Sequence, residues 1–383
     1  MSTPAPYHEE LAHALRVVHK AALLTKSVLR AVKNNVAAET KADDSPVTVA
    51  DFAAQALIIS ALHALYPSDQ FLGEESAAQL RSNGELADRV WGLVCSTAAA
   101  ADDANQSPAH AGPAQSSHLQ HAVHRENLVF PTTKADMLDA IDRGTNEQTA
   151  TGRIWVMDPV DGTATFMTGN QYAVCLCLLV DGVQQVAVIA CPNLPWDPEM
   201  STKVHEDLVD EAGFGVVLSA VNRQGTWVRG MLRHGLGEPH RVEHRGAREG
   251  LSQLNFVECA LGSTSLSQAE HRAVAETLGA NWPGTVVWSQ QIKYVALALG
   301  AAHVMVRLPT TRARYTHVWD HAGGLLLFQE VGGIVKDIDG HAIDLSRGRR
   351  ILGTNNYGLI AAMPWAFDAV HRAVRDVLGR RTL

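Results

Sequence analysis

At 383 residues the chain is about two to three times the usual domain size, long enough to bury one large core or two sub-cores. Hydrophobic residues make up 46% and charged residues 19%, which excludes intrinsic disorder of the chain as a whole. With 32 Lys and Arg against 40 Asp and Glu the net charge is −8, so no basic footprint for gripping nucleic acid is present, although a few cations or metal ions can still reverse the field inside one cleft that takes a small phosphorylated substrate.

The N-terminus, Met1-Ser2-Thr3-Pro4-Ala5-Pro6, has no basic stretch followed by an apolar run, so no secretory leader is expected. From Tyr7 to about Val36 the residues Leu11, Leu15, Val18, Ala22 and Leu29 recur at helical spacing and predict an amphipathic helix. Asp43-Asp44-Ser45-Pro46 is a loop signal, followed by a second helix through Ile59 that ends before Pro67. Gln70-Phe71-Leu72 reads as a short strand leading into Gly73-Glu74-Glu75-Ser76.

Residues 97–122 are rich in Ala, Ser, Pro, His and Gln without periodicity and read as a flexible surface insertion. Its histidines, His110, His118, His121 and His124, suit a solvated loop better than a metal site. Arg153–Met157 is a buried strand running into Asp158-Pro159-Val160-Asp161-Gly162-Thr163. Two apolar strands, Tyr172–Val180 and Val183–Ala190, flank Asp181-Gly182, a dipeptide favoured in two-residue hairpin turns. That dipeptide and Gln184-Gln185 interrupt the apolar region from Tyr172 to Cys191, so no membrane span is expected there.

Further on, Gly284–Trp288 and His303–Leu308 read as strands around a helix from Gln291 to Leu299. A helix from Asp320 to Val331, a strand near Ile334, a strand from Ile351 to Leu359 and a terminal helix from Trp365 to Leu378 close the chain. No repeat of fixed period appears. The cysteines, Cys95, Cys175, Cys177, Cys191 and Cys259, are odd in number and lack a CxxC pair, so they read as reduced core residues. Together with the missing leader this gives the expectation of a cytosolic or nuclear protein, with the cytoplasm as the first choice.

The acids carry the chemistry. Asp158 and Asp161 leave a strand three residues apart, where the two side chains and the Val160 carbonyl can converge on one point. Hard divalent cations such as Mg²⁺ want such oxygen ligands at about 2.0–2.1 Å; an ordinary surface turn is the competing reading of the same residues. Glu74 follows a short apolar strand, Asp51 enters a helix, and Asp320 precedes one, where it could equally be an N-cap. Asp51, Glu74, Asp158, Asp161 and Asp320 together supply about the charge that a site of two or three divalent ions requires.

The segments Asp44–Asp51, Gly73–Ser76, Trp155–Thr163 and Trp319–Ala322 resemble those of the inositol monophosphatase superfamily of Mg²⁺-dependent, lithium-sensitive phosphatases. Within it, Ala173–Leu176, Cys191–Leu194, Lys293-Tyr294, Leu297–Gly300 and Val306–Pro309 are similar to the 3′(2′),5′-bisphosphate nucleotidases. The likeness runs in order from about residue 10 to the C-terminus, outside the insertion. It implies an α/β (α+β) fold, the layered α/β/α/β/α sandwich of the sugar-phosphatase type. Residues 1–190 would form an α+β metal-binding half and 191–383 an α/β substrate half, with the site in the cleft between them.

The resemblance implies that Glu74, Asp158, the Val160 carbonyl, Asp161 and Asp320 hold two or three Mg²⁺ ions. It makes Asp51 and Thr163 the dyad that takes a proton from the attacking water. Thr163, Ser263, Gln290, Lys293, Arg307 and Asp320 would meet the substrate, a small phosphorylated molecule of the adenosine 3′,5′-bisphosphate type, which would place the enzyme in sulfur metabolism. Without the resemblance, Lys293 reads equally as a solvated helix lysine and Arg307 as a strand-end salt-bridge partner. The sequence departs from the nucleotidase pattern on the substrate side. Gly162-Thr163-Ala164-Thr165-Phe166 stands for Gly-Thr-Lys-Gly-Phe, Thr168-Gly169 for Arg-Gly, Gly262-Ser263-Thr264-Ser265-Leu266 for Gly-His-Ser-Ser-His, and Gln290 for a Ser. Cations and an imidazole are lost there, which keeps an inositol (poly)phosphate phosphatase open as the alternative, with a catalytically weak nucleotide-binding regulator as the reading from another class.

Overall fold

The computed structural model describes residues 5–33, 46–106, 128–147, 149–195, 197, 203–243, 250–259 and 266–380. Helix α1 (His8–Lys33) buries Ala14, Leu15, Val18, Ala22 and Leu29, a stripe at three- and four-residue spacing, against α2 (Pro46–Leu65). Ala53, Ala54, Leu57 and Ile58 of α2 are all buried, because this helix is covered on several sides. Strand β1 (Gln70–Gly73) is followed by α3 (Ala78–Ser82), α4 (Gly84–Gln106) and α5 (Lys134–Arg143). A capping box starts α5: the Thr133 side chain accepts from the Asp136 N–H while the Asp136 carboxylate accepts from the Thr133 N–H.

Part of the expected insertion is therefore helix. Residues 97–106 continue α4, since an alanine run of high helix propensity extends a helix already anchored by the buried Leu86, Val90 and Val94. The remainder, with His110, His118, His121 and His124, lies outside the described residues. Cys95 on α4 is exposed, a correction to its reading as core; Cys175, Cys177, Cys191 and Cys259 are buried, and all five are free thiols.

Strands β2 (Arg153–Asp161), β3 (Ala173–Val180), β4 (Val183–Cys191), β5 (Val216–Val221), β6 (Thr226–Leu232), β7 (Gly235–Leu236) and β8 (His240–Arg241) follow, with α6 (Thr163–Thr168) between β2 and β3. Among the described residues they form with β1 an eight-stranded sheet in chain order, β8 returning to pair with β6. The β1–β2 pair is parallel and the others are antiparallel. The β3–β4 hairpin turns at Asp181 and Gly182 with φ of 51° and 77°, both in the left-handed region that such a turn requires. The division expected at residue 190 falls inside β4, and this sheet runs on to Arg241. We place the boundary between the halves after β8.

Beyond it, β9 (Val257–Glu258) pairs in parallel with β10 (Thr285–Val286), with α7 (Gln268–Thr277) between them. Helix α8 (Gln290–Ala298), β11 (Val304–Arg307), β12 (Tyr315–His317), α9 (Ala322–Glu330), β13 (Ile334–Lys336), β14 (Arg350–Leu352), β15 (Leu359–Ala362) and α10 (Pro364–Gly379) complete the chain. Strands β11, β15 and β13 form an antiparallel sheet, and β12 pairs with β14. The single strand expected over Ile351–Leu359 is broken: the Asn355 and Asn356 amides turn back to the Leu352 carbonyl, and Gly358 has a φ of +64°. The helix expected from Asp320 starts at Ala322, with His321 rather than Asp320 at its cap position.

Five layers result. Helices α1 and α2 cover one face of the large sheet, α8 and α9 cover the other, and the same α8–α9 pair lies against the smaller sheet, which α10 covers from outside. Alternation along β2 sorts its side chains between two cores: Trp155 and Met157 join α1 and α2, while Ile154 and Val156 join α8 and α9. This is the α/β/α/β/α arrangement implied by the resemblance. No helix among the described residues is long and apolar enough to cross a membrane.

Candidate active site

The C-terminal ends of β1 and β2 open onto the edge of this packing. After Gly73 the chain is held by Gln55 of α2, whose Nε2 donates to the Glu75 carbonyl at 2.8 Å and the Ile141 carbonyl at 3.1 Å, while its Oε1 accepts from the Glu75 N–H at 3.1 Å. This amide occupies the space that a side chain would need at two glycines: a Cβ on Gly73 or Gly144 would stand 2.4 or 2.7 Å from it. Glu74 is thereby fixed at the rim of a cavity of about 370 Å³.

At the end of β2 the pairing register with β3 shifts between Asp158 and Asp161, so the strand bulges where the acids leave it rather than closing as a simple surface turn. The Val160 N–H donates to Asp158 at 3.2 Å. Asp161 is cradled by the start of α8, accepting the Ser289 hydroxyl, the Gln291 N–H and, at 3.3 Å, the Gln290 N–H. Glu74, Asp158, Val160, Asp161 and Asp320 all line the cavity, together with Gly162, Thr163, Ala164, Cys259, Leu266, Trp288, Gln290, Lys293 and Arg307.

The electrostatics follow from that crowding. Burial raises the Asp158 pKa far above the ordinary carboxylate range, and the neighbouring Glu74 and Asp161 raise it further. Glu74 is exposed as a residue, yet its carboxyl end is crowded: burial, then Glu75, Asp320 and Asp161 push it up to about 7, against a hydrogen bond with Asp158. Asp161 is pushed up to about 6 by burial, with Ser289 and the α8 amides opposing. Carboxylates that resist ionising together are a donor set for a hard divalent cation: they are all oxygen, and among the described residues Cys259 is the one thiol in the cavity lining. They are spread along the wall, and among the described residues no three acidic, His or Cys groups stand close enough to hold an ion as they are. A shared wall and mutual repulsion, rather than a closed shell, are what fit the ion.

The expected dyad is only half assembled. Thr163 donates to the Val160 carbonyl at 3.4 Å, and among the described residues no hydrogen bond joins it to Asp51. Asp51 lies buried on α2, a helix that packs against α6, and burial followed by Glu75 and Glu74 raises its pKa. On the substrate side Lys293 is 4% exposed, which overturns its reading as a solvated helix lysine. Burial and then Arg307 lower its pKa. Arg307 donates to Gln290 Oε1, a neutral partner in place of the expected strand-end salt bridge. Ser263 lies outside the described residues. Sequence reasoning passed over Trp288 and Cys259 in the lining, and over Gln55 and Ser289 behind it. None of them belongs to a motif, and only the fold brings them here.

Set beside known proteins, the sequence matches the inositol monophosphatase family over residues 7–93 and 116–375. This chain belongs to that family. It is a phosphoric monoester hydrolase, and the curated relatives are named bisphosphate nucleotidases. The 3′(2′),5′-bisphosphate nucleotidase of Schizosaccharomyces pombe is 35% identical over 373 residues, 96% of this chain and 95% of its own length. That of Emericella nidulans is 36% identical over 376 residues, 97% and 99%. Among solved structures, inositol monophosphatase-II from Staphylococcus aureus superimposes with a TM-score of 0.54 at 14% identity, covering 97% of this chain and 94% of that one. An inositol monophosphatase from Zymomonas mobilis gives 0.56 at 16%, covering 97% and 100%, so the fold is shared.

Proposed function

We propose that this enzyme hydrolyses the 3′-phosphate of adenosine 3′,5′-bisphosphate, and of its 5′-phosphosulfate form, in a Mg²⁺-dependent reaction with water as the nucleophile, acting in the cytoplasm. The observation that carries the reading is one cavity lined both by Glu74, Asp158, Asp161 and Asp320 and by the cations Lys293 and Arg307. A molecule with a phosphate at each end needs both. The relatives at 35–36% identity carry this activity in their names and support the nucleotide.

Glu74, Asp158, the Val160 carbonyl, Asp161 and Asp320 would hold two or three ions. Bound there, Mg²⁺ would make the attacking water more acidic and offset the charge that develops on the leaving oxygen. The chain's own residues do the rest. The Thr163 hydroxyl would take the proton of the water and pass its own to Asp51 as the water oxygen bonds to phosphorus and the bond from phosphorus to the 3′-oxygen breaks, its electron pair leaving on that oxygen. Lys293 and Arg307 neutralise the second phosphate, with Gln290 setting the Arg307 fork. Lithium sensitivity and a place in sulfur metabolism belong to the same reading.

The second reading, an inositol phosphate phosphatase, is favoured by Ala164 and Thr168, which put no cation at the two positions where the nucleotidase pattern has one. Steady-state hydrolysis of adenosine 3′,5′-bisphosphate beside inositol 1-phosphate and inositol 1,4-bisphosphate separates the two. The nucleotide should exceed both in kcat/KM, and a preference for either inositol phosphate rejects the proposal.

A further inference from the structure

Asp320 is held by a chain of side chains that the reaction itself does not use. Its Oδ2 accepts from the Thr316 hydroxyl at 2.9 Å and from the His317 N–H at 3.2 Å. Thr316 Oγ1 also lies 2.9 Å from His321 Nε2, and His321 Nδ1 lies 2.9 Å from the Tyr294 hydroxyl.

Counting protons fixes the direction of each bond. Thr316 has a single hydroxyl proton, and the carboxylate takes it, so the Thr316 oxygen accepts from His321 Nε2–H. A neutral imidazole protonated at Nε2 has a bare Nδ1, which accepts the Tyr294 proton. His321 and Tyr294 are fully buried, so bulk water does not compete for these bonds.

The backbone beside Asp320 is held as firmly. Gln291 of α8 donates from Nε2 to the Trp319 carbonyl at 2.7 Å and accepts from the Gly324 N–H at 2.8 Å. Gly324 leaves the room for this arrangement, since a Cβ there would stand 2.3 Å from the Tyr294 ring and 2.6 Å from Gln291 Oε1. With its peptide fixed by Gln291 and its carboxylate by the side-chain chain, Asp320 has one orientation.

We propose that Tyr294, His321 and Thr316 form a one-way hydrogen-bond relay ending on Asp320, and that Thr316 and His321 are positioning residues for the divalent cation. The inference rests on the metal reading given above. Partners that orient metal ligands in this way typically matter by about 10–100-fold in affinity or activity.

The test is a Mg²⁺ titration of the melting temperature without substrate, on the full chain, in wild type and in Thr316→Val, Thr316→Ser and Asp320→Asn. Thr316→Val keeps the shape and removes the hydroxyl. It should melt like wild type in EDTA and need roughly 10-fold or more Mg²⁺ for half of the stabilisation, with Thr316→Ser restoring the wild-type response. Tyr294→Phe keeps the ring against Gly324 and removes the far hydroxyl, so it too should raise the Mg²⁺ requirement, and it stands in if Thr316→Val does not fold. A wild-type titration in the valine or phenylalanine variant, or a loss that serine does not restore, overturns the relay while leaving the metal reading intact. A wild-type Mg²⁺ response in Asp320→Asn overturns the metal reading, and the relay with it.

Discussion

The guanidinium of Arg349 lies 4.7 Å over the ring of Trp319. From that position it donates to the carbonyls of Gly73, Gly144 and Asn146, so the strand end that presents Glu74 and the turn that presents Asp320 are joined through one side chain. Replacing it by Met keeps the stem and removes the donors. Arg349→Met should lose about 2–3 kcal/mol in chemical denaturation and require more Mg²⁺ for activity. Arg349→Lys should recover only part of either, because an ammonium lacks the planar fork. Full recovery by lysine would show that charge alone matters there.

Asp158→Asn should abolish hydrolysis, leaving less than about a tenth of the wild-type kcat at saturating Mg²⁺, with the fold retained. Its effect on stability has a sign of its own. Asp158 and Glu74 have raised pKa values, so in EDTA the folded protein keeps protons that the unfolded chain has already released. The stability tied to those protons is complete below the ordinary carboxylate pKa of about 4 and is lost as pH rises toward about 7. Melting in EDTA between pH 5 and 7.5 should therefore fall more steeply in wild type than in Asp158→Asn. Parallel curves would contradict the mutual repulsion.

Thr163→Val preserves volume at the start of α6 and deletes the hydroxyl. As a member of the dyad Thr163 should cost roughly 10²–10⁴-fold in kcat with KM nearly unchanged. A raised KM with unchanged kcat would make it a substrate contact instead. Because Thr163 is bonded to the Val160 carbonyl and not to Asp51 in this structure, Asp51→Asn and the double variant belong in the same series. A working dyad requires strongly non-additive losses.

Arg307→Ala distinguishes the two substrate readings. A charge-assisted contact to phosphate contributes roughly 1.5–3 kcal/mol, so kcat/KM on adenosine 3′,5′-bisphosphate should fall about 10- to 150-fold more than on a substrate lacking the 5′-phosphate. Melting temperature must be recorded alongside, since Arg307 also holds Gln290. Equal losses on both substrates in a folded variant would move the inositol phosphate reading to the front.

Much of this was legible in the residue order because it is local. The apolar run into Asp158 and Asp161 is a strand whatever else surrounds it, and Asp181-Gly182 turns by its own chemistry. What stayed hidden is non-local. Ser289 meets Asp161 across 128 positions of sequence, and Thr316 and Tyr294 are ordinary residues until β12 and α8 both reach His321. Lys293 reads as a surface lysine on any helical wheel, and its burial depends on the smaller sheet closing over α8. The Ala-rich start of the insertion looked irregular because its composition was averaged with that of the residues after it, whereas its alanines continue a helix nucleated earlier.

The short helix α8 has a consequence for how this enzyme can change. Its first amides and Ser289 cradle Asp161, and one turn later the same helix delivers Lys293 to the lining of the same cavity. A shift or tilt of α8 that remodels the pocket for a larger or smaller substrate would drag the Asp161 cradle with it, so the helix cannot be retuned for one task without disturbing the other. New specificities must arise instead where side chains border the cavity without touching the carboxylates, at Ala164, Leu266 and Trp288. Divergence among relatives that act on different phosphate esters is expected to concentrate at those positions, while α8 itself stays put.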